Sequence, residues 1–315
     1  MSKIINFIKN ISPFNRRTDM PKFLYVIKVI IIFYAFKFMS ELAGEAIAIG
    51  VHFACGKNPL QGDMFDADTI TLITYFGYAF MIGIVFLLWK LFQKKNISEL
   101  GFTKNFETYF IGMAVGAVLV MACVIPVVLT GAIQFNGVFS NINLGMVLLM
   151  IPAFILQGAM EEVLCRGVVQ QLLARNASVP VAVGVSALLF TVVHVQNMDT
   201  SDIAITAVAI INLVLISLIF SILTLRFKSL WAACGFHSVW NYILFNILGL
   251  NLSGKDEIVA AVFDMKSAGS NVINGGAYGI EASIVTTAVL AAALGLCIVL
   301  YRKNAVKTAE LKLAC

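Results

Sequence analysis

Charge is scarce in this chain. Of 315 residues only 12% are Asp, Glu, Lys or Arg, while 60% are hydrophobic, which leaves too little polar surface to cover a water-soluble globule. The deficit points to a bilayer. Lys and Arg number 22 against 17 acids, a net charge of +5, and no basic stripe interleaved with aromatics appears, so a nucleic-acid partner is excluded. The six cysteines, at 55, 123, 165, 234, 297 and 315, form no CxxC pair. Neither a disulfide framework nor a cysteine-rich metal site fits that spacing, and they read as reduced apolar fillers. Pro-rich or Gly/Ser-rich linkers and internal repeats are missing too, which leaves one membrane domain with no soluble domain appended.

The first 22 residues scatter Lys3, Lys9, Arg16, Arg17 and Lys22 among Ile and Phe. Without a compact apolar core or a small-residue cleavage site, this is not a cleavable signal. Ile4, Ile5, Ile8 and Ile11 share one helical face, which suits a segment lying along the membrane surface.

A bilayer core of about 30 Å needs roughly 20 apolar residues per helix. Eight segments qualify: 23–50, 70–92, 108–130, 144–174, 179–196, 203–225, 229–250 and 280–301. The first is interrupted by Lys28, Lys37, Glu41 and Glu45, of which Lys37 and Glu41 are four apart and can pair. With the N-terminus inside, sixteen cations fall on the cytoplasmic side, and only Lys57, Lys255 and Lys266 fall outside. The expected fold is all-α, a polytopic membrane helical bundle of about eight transmembrane helices with both termini cytoplasmic. Residues 1–22 form a basic cytoplasmic or interfacial segment, 23–303 the transmembrane domain and 304–315 a cytoplasmic tail.

Three ionisable groups sit where lipid would be their default neighbour. The run 144–160 leads directly into Glu161, Glu162 and, four residues later, Arg166. Each costs on the order of 2.5 to 3.5 kcal/mol at the centre of a spanning helix. Such an expense marks a site. Glu162 and Arg166 are four apart and can pair on one face, whereas Glu161 is turned about 100° away and lacks that cation. The carboxylate without a cation is the better placed of the two to take a proton from water, and the paired one to hold the helix or a ligand.

Of only three histidines, His194 and His237 occur inside later spans, and His52 ends the first. A lone membrane histidine is usually a packing residue. His237 and Asn241, however, are four apart, so one helical face offers an imidazole and an amide that can both donate to a developing oxyanion. Glutamate, histidine and water make a hydrolytic set.

These residues carry a resemblance. EEVLCR at 161–166, FTVVH at 190–194 and HSVWN at 237–241 match, in order, the EExxxR, FxxxH and HxxxN motifs of the CPBP family, the type II CAAX prenyl protease and bacteriocin-processing intramembrane proteases also called the Abi family. ISELGF at 97–102 resembles a short element such proteins carry before the third span, and NGGAYGIEAS at 274–283 resembles their glycine-rich entry to the last helix. No function attaches to the latter, since glycines make a turn and Glu281 favours a helix N-terminus. The resemblance implies an intramembrane endopeptidase with its catalytic core at about 144–250. Glu161 and His194 would activate water, His237 and Asn241 would steady the oxyanion, and Glu162 and Arg166 would support them. Phe190 is expected to pack against the imidazole, and Trp240 to be a helix-facing aromatic.

At 1.5 Å per residue, Glu161 lies about 21 Å from Arg175, His194 about 24 Å from Ser178, and His237 only about 12 Å from Ser229. Convergence therefore needs tilted helices, or helices 4 and 5 that project into the cytoplasm before turning back. The zinc signature HExxH is absent. No cofactor is favoured, and zinc held by Glu161, His194 and His237 is the alternative. The expected partners are the lipid bilayer and a membrane-associated peptide or protein substrate, with a bacterial cytoplasmic membrane as the expected location. Transmembrane GxS and GxGD patterns are missing, which removes the serine and aspartyl intramembrane proteases. The rival from another class is a catalytically silent scaffold or bacteriocin-immunity protein of the same fold. Cys315, the last residue, cannot itself head a CaaX box.

Overall fold

The computed structural model describes residues 2–196, 198–253 and 260–313, with side chains described within 6–303 except at 68. The expectations placed on Lys255, on the side chains of Ile4, Ile5, Lys307 and Lys312, and on Cys315 lie outside the described residues.

The chain is helical nearly throughout. A short amphipathic α1 (Ser2–Ile11) precedes α2 (Lys22–Ala54), α3 (Ala67–Leu88) and α4 (Glu107–Leu129). Strand β1 (Ile133–Val138) follows, then α5 (Leu144–Glu162), which runs through a wider π-helical stretch at Val163–Gln170 into α6 (Gln171–Asn176). Next come α7 (Val179–Val195), α8 (Ile203–Phe227) and α9 (Trp231–Tyr242), strand β2 (Phe263–Ser267) and α10 (Ile284–Leu313). Local chemistry sets several helix starts: Asp66, Asn143, Ser178 and Asp202 each accept a backbone N–H from the first turn that follows.

All eight anticipated segments contain a helix, and the all-α polytopic bundle holds. By length and composition, six helices among the described residues can cross a membrane: Lys22–Ala54, Thr69–Gln93, Glu107–Leu129, Leu144–Asn176, Ile203–Phe227 and Ile284–Lys303. The two remaining segments, expected at 179–196 and 229–250, are shorter helices, α7 with 17 residues and α9 with 12. The two strands pair antiparallel, with Ile133 opposite Ser267 and Phe135 opposite Met265, a small element that hydropathy alone did not signal.

The site depends on how closely α4 and α9 approach. A Cβ on Gly112 would overlap the Ala232 carbonyl, and one on Gly235 the Tyr109 carbonyl. Backbones touch there because neither residue carries a side chain, the small-residue packing that membrane helices use where hydrophobicity offers no driving force. The start of α9 is recessed as well. Ser229 and Leu230 are fully buried, and Leu230 N–H donates to the Gly101 carbonyl at 2.9 Å. The ISEL turn (Ile97–Leu100), closed by a capping box between Asn96 and Glu99 and by Gly101 at φ +105°, covers it.

Lys37 pairs with Glu41 along α2 as anticipated. His52 is a packing histidine, its Nδ1 2.8 Å from the Ala48 carbonyl and its ring 4.7 Å from that of Phe65. The five described cysteines are free.

Candidate active site

The recessed start of α9 resolves the mismatch in depth, since His237 is close to its own helix terminus but that terminus is itself inside the protein. Glu161 and Glu162 end α5, His194 sits in the last turn of α7, and His237 and Asn241 lie one turn apart on α9. Glu161 Oε2 is 3.4 Å from His194 Nε2 and 3.8 Å from His237 Nε2. All three face a cavity of about 370 Å³ that Gln157, Asn241 and Glu281 also line.

Glu162 and Arg166 are fully buried and pair at 2.9 Å, as their spacing predicted. Arg166 also donates to the Ser217 carbonyl at 3.0 Å and to the Ser217 hydroxyl. Its guanidinium lies 4.7 Å from the Phe190 ring centre and 5.1 Å from that of Phe220. A buried guanidinium wants planar π faces and several acceptors, and it has both. The π-helical stretch that begins at Val163 widens the backbone at this point, a distortion that concentrates at functional sites.

The histidine rings are oriented through Nδ1. That of His194 is 2.8 Å from the Phe190 carbonyl, and that of His237 is 3.1 Å from Glu162 Oε1. Both partners can only accept, so each Nδ1 carries hydrogen, and in the neutral rings each Nε2 presents a lone pair toward Glu161. Among the described residues, Glu161 Oε2 has no hydrogen-bond partner. With both rings neutral three acceptors meet in one region, an arrangement that favours a proton on one of the Nε2 atoms or a polarised O–H donor between them. Phe190 packs on His194 with ring centres 4.3 Å apart, and Phe220 stacks on His237 at 5.1 Å.

Two contributors escaped the sequence reading. Gln157 donates to Glu161 Oε1 at 2.5 Å and accepts from Asn241 Nδ2 at 2.8 Å, so an amide, not a cation, is the local partner of Glu161. Its position four residues before Glu161 was the available signal. Glu281 reaches the cavity instead of capping a helix, accepting from Trp240 Nε1 at 3.3 Å and from the Ser253 backbone N–H and hydroxyl at 2.8 Å. Trp240, 1% exposed, faces this carboxylate.

As to metal, Glu161 and the two imidazoles are the donors a zinc ion would use. Among the described residues, however, no group of three or more His, Cys, Asp or Glu side chains is arranged to hold an ion.

Residues 143–243 match the family model described as Type II CAAX prenyl endopeptidase Rce1-like. That stretch begins just before α5, ends just after α9, and contains Gln157, Glu161, His194, His237 and Asn241 but not Glu281. No curated protein and no solved structure matches the chain.

Proposed function

We propose that this chain, whose residues 143–243 match the type II CAAX prenyl endopeptidase Rce1-like model, is a glutamate-dependent intramembrane endopeptidase that hydrolyses a peptide bond of a membrane-associated protein or peptide. The observation that carries the reading is the approach of His194 Nε2 and His237 Nε2 to one oxygen of Glu161, at 3.4 and 3.8 Å, inside a cavity.

A water held between Glu161 Oε2 and His194 Nε2 gives its proton to Glu161 and attacks the scissile carbonyl carbon. The carbonyl oxygen becomes an oxyanion that accepts from His237 and Asn241. His237 donates from Nε2 as the imidazolium, flanked by the carboxylates of Glu161 and Glu162. Asn241 commits one N–H to Gln157 and keeps the other for the oxyanion. Collapse of the tetrahedral intermediate breaks the C–N bond, and the proton on Glu161 passes to the departing amine nitrogen. Arg166 keeps Glu162 ionised and in place, and Phe190 holds the His194 ring. Both imidazoles have roles without an ion, which supports the metal-free route over zinc held by Glu161, His194 and His237.

Mass spectrometry of peptides from cells carrying the native chain or its Glu161→Gln form tests the reading. Products that appear only with the native chain are expected. An unchanged peptide set, together with unchanged biological activity in the variant, would favour the silent scaffold.

A further inference from the structure

Among the described residues two carboxylates line the cavity, and the proposed hydrolysis uses only Glu161. Glu281 is the other, contributed by the turn Ile280–Ala282. That turn is tied to α8, because Asn212 Nδ2 donates to the carbonyls of Glu281 and Ser283 at 2.9 Å each. The carboxylate is held from the other side by Trp240 Nε1, the Ser253 N–H and the Ser253 hydroxyl. These three donors are neutral, and a carboxylate offers about four lone-pair positions, so among the described residues its charge is oriented without a cationic partner and one acceptor position is left over. Among the described residues, the cavity lining contains no Lys or Arg. Trp240, Asn241 and Glu281 line the same cavity, so the Glu281 charge shares it with the proposed oxyanion site.

A fixed anion that shares a partly enclosed cavity with a second carboxylate attracts a cation and repels a free chain-terminal carboxylate. We propose that Glu281 is a specificity-determining residue that selects a Lys or Arg side chain on the peptide near the scissile bond. This rests on the endopeptidase reading, but its test does not need turnover.

The full chain bearing Glu161→Gln is placed in lipid nanodiscs. Binding is measured for three sets of fluorescent, end-capped hexapeptides of matched hydrophobicity whose variable position is Lys, Gln or Glu. The Lys set is expected to bind about tenfold more tightly than the Glu set. Adding Glu281→Gln should reduce that ratio to within about twofold, and adding Glu281→Lys should invert it. Ser253→Ala, which removes one donor and keeps the carboxylate, should preserve the preference. If it does not, Glu281 acts as a brace for the 251–253 segment and the proposal falls. Equal binding of the three sets, or a Lys preference that survives Glu281→Gln, overturns it as well. If Glu281→Lys does not fold, the isosteric Gln variant decides. Loss of the Lys preference with hydrolysis intact sinks this inference alone, whereas a Lys preference without hydrolysis in the native chain sinks the endopeptidase reading alone.

Discussion

His237 Nδ1 lies 3.1 Å from Glu162 Oε1, the same oxygen that accepts from Arg166 at 2.9 Å. One buried carboxylate thus couples a structural cation to a proposed catalytic imidazole. Removing the cation alone strands the charge. Arg166→Met is expected to cost about 3–5 kcal/mol, as breaking a buried pair does, while the double variant Glu162→Gln, Arg166→Met recovers most of that stability. Thermal unfolding in detergent, monitored with a thiol-reactive dye on the buried cysteines, measures both. Activity should not return with stability in the double variant, since His237 then lacks its anionic partner.

Gln157 bridges the base and the amide, touching Glu161 Oε1 and Asn241 Nδ2. Gln157→Ala frees both, and the expected loss is in turnover, not in substrate binding, about 10- to 100-fold in kcat. Steady-state kinetics that showed a raised KM with unchanged kcat would assign Gln157 to the substrate instead.

The sequence made the local geometry legible and left the distant geometry hidden. The Glu162–Arg166 pair, the turning of Glu161 away from Arg166 and the shared face of His237 and Asn241 all follow from helical spacing. Gln157 obeys the same rule and was within reach. Ser217 under Arg166 and Glu281 above Trp240 come from elements 51 and 41 residues away, where no periodicity operates. The recess of α9 was hidden for a related reason. It depends on a turn at 97–101 covering Leu230 and on bare glycine backbones at 112 and 235, whereas hydropathy treats each segment as a separate cylinder.

Those glycines yield a stability prediction. Gly112→Ala or Gly235→Ala pushes a methyl group into a carbonyl of the opposite helix, and overpacking of this kind costs about 1–3 kcal/mol or more. The melting temperature should fall and activity per folded molecule should fall with it, because α9 carries His237 and Asn241. Gly77→Ala, where a Cβ would meet nothing within 4 Å, serves as the control and should leave both unchanged.

Glu99 lies outside the spans, and Arg175, at the end of the span Leu144–Asn176, holds its carboxyl below the ordinary value of 4.5, chiefly through their hydrogen bond. A carboxylate with a depressed folded-state value stabilises the fold above its unfolded value, and the benefit fades as pH falls through the folded one. The melting temperature of the native chain should therefore exceed that of Glu99→Gln at pH 7, and the difference should shrink as the medium is acidified below about pH 4.5. The pair is partly exposed, so the difference should also narrow in high salt. A gap that widens on acidification would mean that Glu99 acts through its capping contact with Asn96 and not through its charge.

The last prediction concerns the ion. Glu161 Oε2 faces two imidazole nitrogens whose Nδ1 atoms are engaged by the Phe190 carbonyl and by Glu162, a pattern that also orients zinc-binding histidines in other settings. The two routes differ in what His237 must carry: a hydrogen on Nε2 to donate to the oxyanion, or a lone pair to bind metal. In the route proposed here, active enzyme in proteoliposomes keeps its rate through prolonged treatment with a membrane-permeant chelator, and added zinc does not raise it. Loss of activity on chelation with recovery on adding zinc would reassign Glu161, His194 and His237 as ligands. The oxyanion would then be left to Asn241, and Asn241→Ala should become the most damaging of the amide substitutions.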